Sequence, residues 1–331
     1  MAGVKALRRI QIGAETVAGT GVAATTKWRG GGTIQDDLDL VFVEEDTGYI
    51  GGTDRTYIQK YGATLELDEV EATFEQLPYL GMMGIKSVTS GESDGAGDGK
   101  IWAFPLPTTS QNTIKTYTFE GGDDQQEEEF TYGYAESIKI TGKAGEALKM
   151  SAVIKGRQVT ASTFTGALSL PTVEEILFGK GALYIDAIGG TIGTTQKSNT
   201  LLAMEWTIKT GWQPVYTGDR LDLSFVKCVK PDAPLKITFE HDSTATAEIA
   251  NWRAQTSRLL QLKWIGTAVG VGAAYSYKTV IINLAGRWQN FQKIDEIDGN
   301  DVITGTFMPR YNATAQRFAE MIVVNTLAAL P

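Results

Sequence analysis

The chain has 331 residues, of which 42% are hydrophobic, and it carries a formal net charge of −9 with a pI near 4.9. That length exceeds what one hydrophobic core usually supports, so two domains are expected. The acidic balance argues against a protein that wraps nucleic acid by neutralising its phosphates.

The first half of the chain predicts strands, a long loop and one short helix. Segment 33–46 has strand character and leads into a polar, glycine-bearing loop at 44–60. Apolar and polar residues alternate over 63–67, which predicts a half-buried strand, and the apolar spacing over 74–83 becomes helical. Segment 86–104 predicts a hairpin with a mobile tip.

The second half repeats this reading. A strand runs into a second long loop at 208–221, and a strand is predicted again over 235–239. A short helix follows at 247–252, with Ser243, Thr244 or Thr246 as its capping residue. Both halves are then expected to end in hairpins, at 135–156 and at 300–326.

Paired segments support a duplication. They recur in one order, at offsets between 163 and 171 residues. The pairs are 47–55 with 210–220, the strand–helix unit from 63 with that from 234, 138–142 with 301–305, and 148–156 with 318–326. We therefore predict a mainly β fold made of a duplicated β-sandwich or barrel-like domain, each copy with a short flanking helix and a long hairpin loop. The predicted domains are 1–165 and 166–331.

The sequence offers little catalytic chemistry. His241 is the only histidine and adjoins Asp242 and Ser243, but adjacent residues rarely form a triad, so we interpret this segment as a helix-capping corner. Together with the single cysteine, Cys228, it cannot make a zinc site, and segment 94–99 lacks the ligand pattern of a calcium loop. We expect no cofactor, no metal and no enzymatic activity.

Cysteine usage and hydropathy bound the location. A lone cysteine excludes an intrachain disulfide and fits a reducing compartment. The N-terminal segment lacks the apolar stretch of a secretory signal, and no apolar run approaches the ~20 residues that cross a bilayer. We therefore expect no membrane anchor.

Two acidic clusters allow three interpretations. They are a solvated loop, a surface that must be negative, or the paired acids of a glycoside hydrolase. The first cluster is Asp68, Glu69, Glu71 and Glu75, and the second is Asp123, Asp124, Glu127, Glu128 and Glu129. All of these except Glu71 and Glu75 are candidates for a negative surface.

The opening of the chain resembles a known family. Ile12, Gly13 and Glu15, followed by Gly19 and Thr20, are similar to the start of the tail tube proteins of long-tailed bacteriophages, and segment 318–326 resembles their closing strand. The resemblance implies packed β-sheets with a flanking helix, and rings that stack into a hollow tube through which DNA passes without specific binding. It implies a place in the virion tail after assembly in the host cytoplasm.

The implied partners are further copies of the chain and other tail proteins such as the tape measure, tail terminator and baseplate proteins. Because single-domain members are expected to form six-membered rings, two domains per chain imply trimeric rings. The alternatives are a surface adhesin, a capsid-decorating protein or, less favoured, a glycoside hydrolase.

The resemblance places the ring-stacking loops at 44–60 and 208–221. Aromatic residues mixed with glycine and an Asp-Arg pair are typical of interface hot spots, although they could instead fold back on their own domain. The predicted inter-ring contacts are Tyr49, Ile50, Arg55, Tyr57, Trp212, Tyr216 and Arg220. Part of the acidic set is expected to line the channel, where it would repel phosphate over a Debye length of about 8–10 Å.

Overall fold

A computed structural model describes residues 4–330 of the chain. Strands account for 48% of the protein and helices for 8%, which confirms the prediction of a mainly β fold. The two α-helices are α1 (Leu77–Gly84) and α2 (Ser243–Arg253), and short 3-10 turns lie at Lys5–Leu7 and Phe178–Lys180.

The strands fall in two series. The first series is β1 (Arg9–Ala14), β2 (Thr26–Lys27), β3 (Gly32–Asp36), β4 (Asp39–Phe42), β5 (Thr56–Lys60), β6 (Ala63–Glu71), β7 (Glu92–Ser93), β8 (Lys100–Pro105), β9 (Tyr117–Gly122), β10 (Glu127–Lys143), β11 (Lys149–Gly156) and β12 (Thr160–Ala161). The second series is β13 (Gly181–Ala187), β14 (Gln196–Lys197), β15 (Leu201–Lys209), β16 (Trp212–Val215), β17 (Phe225–Cys228), β18 (Leu235–Glu240), β19 (Arg258–Ala268), β20 (Tyr277–Phe291), β21 (Asp295–Ile297), β22 (Asn300–Pro309) and β23 (Ala319–Asn325).

An eight-stranded antiparallel sheet runs through both halves in the order β3-β6-β11-β10-β15-β18-β22-β20. Its strands alternate between a buried and a half-exposed face, as in β11, where Met150 and Ile154 are buried and Ser151 is not. The buried face packs into the main core. The opposite face, which we call the polar face, carries mostly Thr, Ser, Lys and Glu.

Two further sheets share the long strands. The N-terminal part of β10 lies between β9 and β12, and β9 pairs with β1. The N-terminal part of β20 lies between β19 and β23, and β19 pairs with β13. Both long strands change neighbours within a few residues of a bulge, where the extra residue bends the strand. Across the described residues the pairings branch but never return to their start, so no barrel closes within one chain.

The same order of pairing occurs in both halves. The path β1-β9-β10-β11-β6-β3 has its counterpart in β13-β19-β20-β22-β18-β15. The bulges match: Ala135 lies opposite Ile154 just before the first, and Trp288 opposite Phe307 just before the second. A duplicated domain predicts this pattern, while the boundary between residues 165 and 166 stays a prediction.

Two of the paired sequence segments that indicated the duplication lie in strands that hold different places in the two halves. Segment 138–142 lies in β10 and its supposed partner 301–305 in β22, whereas β22 occupies the place of β11. Likewise, 318–326 covers β23 rather than a copy of β11. Short alternating strands look alike in sequence, so their similarity does not identify their neighbours.

Strand pairing joins the halves directly. β10 pairs with β15, and β8 adds to the edge of β23. The closing hairpin predicted for 135–156 is present as β10 and β11, but the one predicted for 300–326 is not, because β22 and β23 both pair with β20 instead of with each other. Sequence alternation gives no information on which edge a strand will choose.

The two helices differ in setting. All eight residues of α1 are buried, and the helix packs against β10, β8 and β23. In α2 only Ala245 and Glu248 are buried. Each half therefore has a short helix beside its strands, as predicted, but the first is buried and the second is largely exposed. The capping residue of α2 is Asp242, which accepts a hydrogen bond from the Ala245 amide at 2.9 Å, rather than the Ser or Thr residues expected.

The tip of the β7–β8 hairpin is held in place. Asp94 is buried and accepts hydrogen bonds from the amides of Ala274 and Tyr275, at 2.8 and 2.6 Å. The Asp98 amide donates to the Val269 carbonyl at 2.8 Å. The predicted mobile tip is therefore an anchored contact between the halves, because the carboxylate of Asp94 satisfies backbone donors of the facing loop.

Candidate assembly surfaces

The β4–β5 hairpin, here called the first hairpin, exposes apolar side chains. Phe42 is 68% exposed, Tyr49 73%, and Ile50 is fully exposed at the tip. Leu40 and Tyr57 are exposed as well. Several exposed large apolar side chains on one small element are typical of a protein interface.

The charged pair of this hairpin is used internally. Arg55 forms an ion pair with Glu45, and Thr53 donates a hydrogen bond to the same carboxylate at 3.1 Å. Arg55 was predicted to be a charge partner across rings. In the isolated chain it instead braces its own loop, since Glu45 lies across the hairpin from it.

The β16–β17 hairpin, the second hairpin, is not a free counterpart. Trp212 is only 5% exposed, and its indole Nε1 donates to the Gly84 carbonyl at the end of α1, at 2.8 Å. It packs in a cluster with Tyr132, Tyr134 and Cys228. The predicted inter-ring anchor Trp212 is thus part of the fold of one chain, because the apolar cluster of the first half covers it.

Other residues of the second hairpin also turn inward. The guanidinium of Arg157 donates to the carbonyls of Leu223 and Ser224, each at 3.0 Å, and lies over the ring of Tyr132. Arg220 is paired with Asp222. This hairpin is therefore fixed to the first half of the chain by Trp212 and Arg157 together.

Three inter-ring contacts were predicted on this hairpin, namely Trp212, Tyr216 and Arg220. Of these only Tyr216 is exposed, with 43% of its surface accessible. The ammonium of Lys60 lies 5.7 Å from the centre of its ring. The loop of the second hairpin thus reaches the base of the first, where the Tyr61 amide also donates to the Leu221 carbonyl.

The candidate acids do not form one surface. Asp68 and Glu69 lie on β6, and the Thr141 hydroxyl donates to Glu69 across the polar face. Asp123 and Asp124 form the turn between β9 and β10, where hydrogen bonds from the Gln125 and Gln126 amides lower the pKa of Asp123.

The remaining acids, Glu127, Glu128 and Glu129, begin β10. Glu127 lies 3.7 Å from Arg9 and accepts from the Phe164 amide, and Glu129 accepts from the Ser162 hydroxyl. Much of this acidic segment therefore holds local structure.

Acidic and basic residues are mixed on the polar face. Strand register places on it the acids Glu66, Asp68, Glu69, Glu71, Glu205 and Glu240 and the bases Lys139, Lys143, Lys149, Lys155, Lys209, Lys236 and Arg287. Asp37, which follows β3, lies 3.5 Å from Lys155 on the same face. Glu205 lies between Lys139 and Lys236, at 2.9 and 2.8 Å, and hydrogen bonds from these two lysines lower its pKa. Of the seven candidate acids, Asp68 and Glu69 lie on this face.

Little in the described part of the chain favours catalysis. His241 is exposed, and its neighbour Asp242 is engaged as the helix cap. The buried carboxylates of Glu15 and Glu120 accept hydrogen bonds from backbone amides and threonine hydroxyls. Within residues 4–330 no group of three or more His, Cys, Asp or Glu side chains could hold a metal ion, and neither α-helix there is long and apolar enough to cross a membrane.

Comparison with protein-family models and with curated proteins finds no match to this chain. Its function is therefore inferred from its own surfaces and edges.

Proposed function

We propose that this protein is a structural subunit that assembles head to tail into closed rings, which stack into a tube like the tail tube of a long-tailed bacteriophage. The observation that carries this proposal is the junction of β10 with β15 inside the chain. It joins the two equivalent halves through one sheet edge of each. The equivalents of these two edges in the opposite halves remain open at the two ends of the eight-stranded sheet.

The open edges are β3 and the C-terminal part of β20. β3 holds the place of β15, and β20 beyond its bulge holds the place of β10. Both present unpaired backbone donors and acceptors on one side, which makes each a template for another strand. Because they correspond to the two sides of the β10·β15 junction, β20 of one copy fits β3 of the next.

The internal junction also sets the register. Lys139 lies opposite Thr207 across it. Counting from the matched bulges and pairs, the equivalent residues are Gln292, which directly follows β20 and still pairs with Thr304 of β22, and Gln35 on β3. Repetition of one such head-to-tail contact closes a ring when the rotation allows it. Three chains would supply six equivalent halves, the number that the family resemblance implies.

In such a ring, the eight-stranded sheets join into one continuous sheet, and its polar face would line the channel. The lining is then rich in hydroxyl groups and of mixed charge. The acidic lining expected from net charge would require a different face of the chain. Tyr49 and Ile50, at the tip of the first hairpin, are the proposed contacts between rings.

A cysteine pair tests the edge contact. In a protein carrying Gln35→Cys and Gln292→Cys, we expect mild oxidation of the assembled protein to give covalent dimers and trimers, because directly opposite residues in a sheet lie within disulfide range. The two glutamines are exposed, so the folded chain should tolerate the change. Cross-linking is read by denaturing gel electrophoresis without reductant.

Each single-cysteine variant is the control and should give no ladder, since the native Cys228 is buried. Mass measurement and electron microscopy of the assembly then count the chains. Rings of six chains would overturn the trimer, and a protein that stays monomeric at high concentration would contradict the tube and favour an adhesin or capsid-decorating protein.

A further inference from the structure

The two hairpins are equivalent but differ in exposure. Leu65 lies opposite Ile34 in the first half, and Leu235 lies opposite Trp206 in the second. Counting six residues onward from Ile34 and from Trp206 places Leu40 at the position of Trp212. Trp212 is buried against the first half of the chain, whereas Leu40 is 43% exposed.

The surface that would receive Leu40 is identified by the equivalents of the residues that surround Trp212. Trp212 contacts the last residue of α1 and packs near Tyr134. The last residue of α2 is Arg253, and the bulge alignment makes Arg287 the equivalent of Tyr134. These two arginines lie together in the wall of one groove.

This groove, called the α2 groove, has a volume of about 370 Å³. It is lined by Trp252, Arg253, Gln255, Arg287, Trp288 and Gln289. It therefore combines apolar indole surface with two cations.

We propose that the first hairpin of one copy docks in the α2 groove of the adjacent copy in the same ring, with Leu40 in the place that Trp212 takes within the chain. This rests on the proposed function and names the side-chain contact that locks the edge pairing. The lateral contact uses the base of the hairpin and leaves its tip for the next ring.

Charge on the two surfaces is complementary. Segment 36–60, which contains the first hairpin, carries Asp36, Asp37, Asp39, Glu44, Glu45, Asp46 and Asp54 against two bases, Arg55 and Lys60. The α2 groove presents Arg253 and Arg287. Such complementarity steers association and fixes register between partners.

A third arginine supports the same docking. Arg310 follows β22 at the position where Arg157 follows β11, three residues after the matched pair at the bulge. Arg157 clamps the second hairpin by its carbonyls, whereas the side chain of Arg310 is 56% exposed and pairs with Asp232. Leu40 lies opposite Ile58 and Trp212 lies opposite Cys228, so Thr53 and Asp54 hold the places of Leu223 and Ser224. Arg310 is therefore placed to clamp the carbonyls of Thr53 and Asp54 of the docked hairpin.

The test uses the sign of a charge at position 40. Leu40→Lys should raise the protein concentration needed for half-maximal ring assembly on the order of tenfold or more, because it brings a cation between Arg253 and Arg287. Leu40→Glu should raise it much less. Arg253→Glu in the Leu40→Lys chain should restore assembly, since each copy gives its hairpin to one neighbour and its groove to the other.

Leu170→Lys is the matched control, because Leu170 is 56% exposed and lies outside both surfaces. Circular dichroism of each variant below its assembly concentration checks the fold. If rings form and the Gln35–Gln292 cross-link appears, but the two charges at position 40 act alike, the docking is overturned and the edge pairing stands. If the unsubstituted chain gives neither ring nor cross-link, the proposed function fails and the docking falls with it.

Discussion

Replacing Trp212 by alanine is expected to lower the free energy of unfolding of the unassembled chain by about 3–5 kcal/mol, the usual cost of deleting a buried tryptophan. The substitution removes the indole from the cluster with Tyr132 and Tyr134 and leaves the Gly84 carbonyl without its donor. Urea denaturation below the assembly concentration measures the change.

Tyr49→Ala is the matched control. Its ring is 73% exposed, so the free energy of unfolding should change by no more than about 0.5 kcal/mol, while tube formation is impaired if the tip contacts the next ring. The opposite result, in which Trp212→Ala unfolds like the parent chain and loses only assembly, would restore Trp212 as a free anchor between rings.

Replacing Lys278 by methionine is expected to cost about 3–5 kcal/mol, because it leaves a buried carboxylate without its cation. The Lys278 ammonium lies 2.7 Å from Glu75 and 3.1 Å from Glu174. The Glu174 amide in turn donates to Glu75 at 2.8 Å. Glu75 precedes α1, Glu174 precedes β13 and Lys278 lies on β20, so the cluster ties the first half to the second.

The pH dependence follows from the shifts in this cluster. Burial alone would raise the pKa of Glu174, but hydrogen bonds from Thr267 and Lys278 hold it below the ordinary 4.5. Burial alone would lower the pKa of Lys278, but hydrogen bonds to Glu75 and Glu174 raise it above the ordinary 10.5.

A carboxyl group whose pKa is lowered in the folded state stabilises the fold at pH values above its ordinary pKa, and this stabilisation is lost as the pH falls through the folded-state pKa. A lysine whose pKa is raised in the folded state stabilises the fold at pH values below its ordinary pKa, and this stabilisation is lost as the pH rises through the folded-state pKa. The cost of Lys278→Met should therefore be largest between about pH 5 and 10 and shrink toward pH 3. Adding Glu75→Gln should recover part of the loss at pH 7. A cost that is independent of pH would show that lost packing, not charge, is responsible.

The alternation of apolar residues in the sequence was enough to identify several elements. It predicted the strand beginning at Ala63, the strand at 235–239 and the helix after each, and β6, β18, α1 and α2 confirm them. The chemistry of a short segment also predicted the corner before α2, although the capping side chain proved to be Asp242. Local patterns succeed here because helix and strand periods are properties of the segment itself.

Tertiary structure alone decided what each face and edge meets. Leu40 and Trp212 occupy equivalent positions, yet one is exposed and the other buried, because only the second hairpin has the other half of its own chain beside it. In the same way, alternation in β10 marks its buried face but not its neighbour, and β15 became that neighbour through pairing between the halves. A period of two fixes which side chains point inward and is silent on the strand across the hydrogen bonds, so the edges that would join one copy to the next appear only once the sheet is formed.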